Sequence, residues 1–158
     1  MSLHTLAIIA HAFSATLAFF TGFVIIFSNN HRLKLQLTKI FIALLAFMEI
    51  FLLFAIFSHL SDLLQISQLI FGGLAILGLY MLFRAYQALV ALQQGQPDNL
   101  AVVDHIGFNL ISLFDGFAIV SAIDLQAPGW LVGLVAVGAV VIGIYSLNLR
   151  KKGLLRNL

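Results

Sequence analysis

Three residues of this 158-residue chain stand where an ionisable group is hardest to keep: His11, Glu49 and Asp115, each inside a long apolar run. An ionisable side chain near the centre of a bilayer costs about 2.5–3.5 kcal/mol even on the most lenient insertion scale, so each needs a reason to be there. Counted inward from the outer end of its run at ~1.5 Å per residue, each lies about eight to ten residues deep, which predicts that the three share one layer. Imidazole and carboxyl groups at one level are the parts of a proton relay, a divalent-metal site or a counter-charge for a cationic substrate. The metal is the weakest of these, because one histidine and two carboxylates on three separate runs make no short ligand motif of the HExxH kind. The purely structural reading is interhelical hydrogen bonding, with protonated Glu49 and Asp115 bonded to Asn109, Ser112 or His11.

A second cluster falls at the ends of the runs: His31-Arg32 after the first, and Asp104-His105 at the start of the fourth. Two histidines reaching across neighbouring helix ends would hold a haem iron or a metal, and Arg32 would pair with a propionate or phosphate. The plainer account is that Asp98, after Pro97, caps a helix, that Asp104 complements its dipole, and that Arg32 marks the membrane interface. His4 and His59 read as solvated residues near the opposite surface.

The elements that position these residues follow from composition. Hydrophobic residues make up 62% of the chain and charged ones 9%, against roughly 25% charged in a soluble domain. A bilayer, not nucleic acid, is the expected partner. The absence of cysteine excludes disulfides, thiol nucleophiles and iron–sulfur ligation. Five apolar runs are each long enough to span, at about 20 residues per crossing, and lipid offers the backbone no hydrogen-bond partner, so the runs must be helical. The expected fold is all-α, an integral membrane five-helix bundle in a single domain, with helices near 3–27, 38–58, 63–92, 101–123 and 129–148. The first run lacks a basic leader and carries His11, so it is read as a permanent helix. With five crossings, the eight basic residues (Arg32, Lys34, Lys39, Arg84, Arg150, Lys151, Lys152 and Arg156) fall on one side. Basic residues concentrate in cytoplasmic loops, which predicts the N-terminus outside and the C-terminus in the cytoplasm of a bacterial inner-membrane type protein.

Membrane helices pack through small and polar residues, so interior faces are predicted from their spacing. The first helix offers Ala7, His11, Ser14, Ala15, Ala18 and Gly22; the fourth His105, Asn109, Ser112, Asp115, Gly116 and Ala122; the fifth Gly129, Gly133, Ala136, Ala139 and Gly143; the third Gly72-Gly73, Tyr80 and Gln87. A polar-lined centre between the first and fourth helices is the expected consequence, with most phenylalanines left to lipid.

The order of His11 with Ala18 and Thr21-Gly22, then His31-Arg32, then Asp104-His105-Ile106 with Ser112, then Pro128-Gly129-Trp130-Leu131 and a basic tail resembles the bacterial membrane-protein family called domain of unknown function 2306 over nearly the whole chain. The resemblance implies a small helical membrane protein with recurrent histidines and supplies no reaction; Asp115 stands apart from the family pattern. Two functions remain open at this level. One is a proton or cation relay, or a haem- or metal-binding protein, built on these histidines and carboxylates. The other is a structural or accessory subunit that docks a second copy of itself or another membrane protein through its small-residue faces.

Overall fold

A computed structural model of the chain describes residues 2–58, 65–94 and 99–155. They form five α-helices: α1 (Leu3–Phe27), α2 (His31–Ser58), α3 (Gln65–Gln93), α4 (Asn99–Asp124) and α5 (Gly129–Leu155). Each contains a stretch long and apolar enough to cross a membrane.

Helix ends are set by local chemistry. The Thr5 N–H donates to the Ser2 side chain and starts α1. The Leu33 N–H donates to Oδ1 of Asn30, so α2 begins at His31 rather than near residue 38. The basic residues there had suggested a loop. Instead Asn30 satisfies an orphan N–H of the first turn, and Arg32, Lys34 and Lys39 ride on the helix. The fifth helix likewise runs past residue 148 to Leu155, with Lys152 in its last turn, where positive charge meets the negative end of the helix dipole. Between α4 and α5 the chain reverses at Gln126, whose φ of 56° is left-handed, while the Ala127 N–H donates to the Ala122 carbonyl at 3.0 Å. That closes α4 as a Schellman-type turn. Pro128 follows, and its carbonyl accepts from the N–H groups of Leu131 and Val132 to open α5. Asp98, His59, Asp62 and the predicted start of the third helix at residue 63 lie outside the described residues.

Helices α1, α2, α3 and α4 pack in a ring, each against the next and α4 back against α1, and α5 leans on α4 from outside. The inner face of α1 is the predicted one, with Ala7, Ser14, Ala18 and Gly22 buried and His11 half-buried. Helix α3 differs: Gly78, Met81, Ala85, Ala88 and Leu92 face inward, while Gly72, Gly73 and Tyr80 are exposed. On α5 only Ala139 is buried; Gly143 packs on Ile111, whereas nothing approaches Gly129 or Gly133.

The centre is not the polar-lined one expected between α1 and α4. It is an apolar cluster that includes Ala18, Ile25, Phe41, Leu45, Met81 and Ile106. Two of its polar neighbours donate to backbone, the Thr38 hydroxyl to the Lys34 carbonyl at 2.8 Å and the Asn109 amide to the Met81 carbonyl of α3 at 3.1 Å, while Asn109 Oδ1 has no partner. Large side chains such as Phe13, Phe20, Phe47, Phe83 and Phe117 point outward, as a bilayer permits.

Candidate functional site in the membrane interior

His11 lies eight residues in from Leu3, Glu49 nine from Ser58, and Asp115 nine from Asp124. A hydrogen bond of 3.2 Å between His4 Nδ1 and Ser58 Oγ ties the start of α1 to the end of α2, so depth on these two helices is counted from one level.

Glu49 is the most enclosed of the three, at 2% exposure. Its carboxyl points from α2 to α3 and rests on Gly78, where a Cβ would overlap Oε2. Glycine leaves the room that the carboxyl fills. Neither carboxyl oxygen has a hydrogen-bond partner, which is rare for a buried polar group and calls for an explanation.

His11 approaches α2 one residue away from Glu49, but on the α1 side: Nδ1 lies 2.9 Å from the Met48 carbonyl oxygen. A carbonyl only accepts, so Nδ1 carries the hydrogen, and Nε2 of a neutral ring is the nitrogen left to take up a proton. Asp115 on α4 is half-buried, and its Oδ1 is enclosed without a partner.

The expected bonds from these carboxyls to Asn109 and Ser112 do not form. Asn109 donates to Met81, and the Ser112 hydroxyl donates to the Phe108 carbonyl of its own helix. Hydrogen-bonded glue therefore does not account for Glu49. Among the described residues, no three His, Cys, Asp or Glu side chains are grouped so as to hold a metal ion.

At the opposite end of the bundle the second cluster is dominated by basic residues. His31 and Arg32 are exposed on the first turn of α2. His105, on α4, is half-buried with Nδ1 unpartnered, and the charges acting on it are those of Arg84 and Asp104. Arg84 donates to the Asp104 carbonyl at 3.1 Å and lies over the Phe108 ring, while Lys151 of α5 pairs with the Asp104 carboxylate. Arg84, Asp104, Asn148 and Lys151 line a cleft of about 190 Å³ that includes neither His31 nor His105.

Sequence alone singled out neither Gly78 nor the burial of Lys34, which is 3% exposed on α2. The signal for Gly78 was its residue type, but its meaning depends on Glu49, distant in sequence and adjacent only across the α2–α3 seam. Comparison with known protein families, with curated proteins and with solved structures finds no match.

Proposed function

We propose that this chain is a multi-pass membrane protein that takes up a proton or a small cation inside its bundle, with Glu49 as the binding group and His11 and Asp115, on other helices, as further groups on the route. The observation that carries this reading is the Glu49 carboxyl, buried between α2 and α3 with both oxygens unpartnered. A bare carboxylate there would be desolvated without compensation, at a cost of several kcal/mol. The same carboxyl is stable as a neutral acid or with a bound cation. A group that must hold something to be at rest is suited to exchanging it. His11 adds an imidazole on the neighbouring helix seam, bonded to the residue before Glu49. The basic end of the bundle is assigned to the cytoplasm of a bacterial inner-membrane type protein, which puts Glu49 nearer the outer surface.

Flux into sealed vesicles tests the proposal. Wild-type protein reconstituted with an internal pH-sensitive dye should acidify the lumen under an imposed potential faster than protein-free vesicles, and Glu49→Gln should remove the excess, because an amide cannot release a proton at accessible pH. Asp115→Asn should slow it. Wild-type flux no greater than that of empty vesicles, tested with protons and with sodium or potassium, would overturn the reading, as would an undiminished Glu49→Gln.

The accessory-subunit reading has its own observation: the outer face of α5 is largely uncovered, and Gly133 and Gly138 have nothing packed against them. Small residues of this kind admit a close-packed partner helix.

A further inference from the structure

Because α5 leans on α4 outside the ring, a groove of about 190 Å³ lies between α1, α4 and α5. Its walls are apolar, built from Phe19 and Phe23 of α1, Leu110 and Phe114 of α4, and Ile142 and Leu147 of α5. Arg150 stands at the end where the basic tail of α5 begins, and it lines the same groove. The guanidinium spans from α5 to α1: Nη2 donates to the Ile26 carbonyl at 3.3 Å, and the group lies over the Phe27 ring, 5.2 Å from its centroid. Its Nε is buried and has no acceptor. Lys34, itself buried, is close enough for the two positive charges to repel.

We propose that this groove is a binding site for one anionic phospholipid, with the phosphate against Arg150 and one acyl chain lying along α1, α4 and α5. An anion there would pair with the Arg150 guanidinium and offset the repulsion from Lys34, since a guanidinium pairs strongly with phosphate. The walls match a hydrocarbon chain and offer it no polar group other than the Ser146 hydroxyl, which is already bonded to the Ile142 carbonyl. Apolar walls with a single cation at one end match an amphiphile that carries one anionic head. This site does not depend on Glu49, and its test is independent of proton or cation flux.

Native mass spectrometry of the full chain, delipidated in neutral detergent and titrated with phosphatidylglycerol or with phosphatidylcholine of the same acyl chains, reads the site directly. One phosphatidylglycerol should be retained in preference to phosphatidylcholine. Arg150→Gln should reduce that preference about fivefold, in keeping with the worth of one basic residue at an anionic lipid surface. Ser146→Phe, a change at an exposed position on α5 that puts a ring into the groove, should lower retention of both lipids, and Arg84→Gln, outside the groove, should change neither. Equal retention of the two lipids by wild type, or unchanged retention in both Arg150→Gln and Ser146→Phe, would overturn the proposal. So would displacement of the lipid by excess inorganic phosphate, which would reduce the site to a simple anion site. Far-UV circular dichroism on each variant separates loss of the site from loss of the fold, and Ser146→Phe leaves the charge of Arg150 untouched.

Discussion

At the scale of single residues, Glu49 and Gly78 act as a pair. The glutamate occupies the volume that the glycine leaves open, so the position of a carboxyl on α2 is decided by a missing methyl on α3. Gly78→Ala would put a Cβ into the carboxyl. Since the end of a glutamate side chain can swing, the expected cost is that of an off-rotamer conformation, about 1 kcal/mol. In a Glu49→Ala background the same substitution should cost almost nothing, because its obstacle is gone. Thermal unfolding of the four proteins in one detergent gives the coupling directly. Equal effects of Gly78→Ala in the two backgrounds would show that the carboxyl does not rest on Gly78. An infrared carboxyl band that shifts in Gly78→Ala and vanishes in Glu49→Gln would tie the same seat to the group proposed to exchange its proton or cation.

At the scale of elements, the reversal between α4 and α5 is held by a residue poorly suited to it. Gln126 is exposed and sits at φ 56°, where a side chain costs about 1–2 kcal/mol relative to glycine. Gln126→Gly should therefore stabilise the bundle by up to about 1 kcal/mol after the added freedom of the unfolded chain is subtracted, read as a raised unfolding midpoint; a lowered midpoint would sink the turn assignment. The spans themselves were legible in the sequence because apolar length is a strong signal. Their ends were less so. Around residues 31–39 charge was read as loop, although Asn30 caps a helix there and the long basic side chains lie along it. The inner face of α1 was legible from its small residues, but Gly72 and Gly73 on α3 and Gly129 and Gly133 on α5 misled. Lipid is as apolar as the bundle interior, so hydrophobicity does not sort the two faces of such a helix, and a glycine can face either. For the interior site, residue type and position along each helix were legible from local sequence. The seat of Glu49 on Gly78 and the bond from His11 to Met48 are tertiary pairings that no local pattern encodes.

For the whole molecule, the decisive asymmetry is electrical. Tertiary contacts draw the charges of four helices to one end: Lys34 of α2 lies near Arg150, Arg150 bonds to the last turn of α1, Arg84 of α3 bonds to Asp104 of α4, and Lys151 of α5 pairs with Asp104. At the other end, α1 meets α2 through a hydrogen bond between His4 and Ser58. The orientation proposed above, with the basic end in the cytoplasm and the two termini on opposite sides, rests on the bias of basic residues toward the cytoplasm. A reporter that is active only in the cytoplasm should therefore work when fused after Leu158 and fail when inserted between Ser61 and Asp62, and a reporter active only outside should show the reverse. The opposite pattern would invert the molecule. Identical readings at the two sites would exclude five crossings, since these positions are separated by three of the spans. The orientation also fixes what Glu49 can reach. In the proposed orientation the carboxyl, nine residues from the end of α2 at ~1.5 Å per residue, lies roughly 13 Å from the outer surface and farther from the cytoplasm. A membrane-impermeant carboxyl reagent that needs the bound group to be released should therefore act from outside on wild type and leave Glu49→Gln unmodified at residue 49. Labelling of Glu49 only from the cytoplasmic side would invert the assigned orientation or place the route on the other side of the carboxyl, and the fusion reporters decide which.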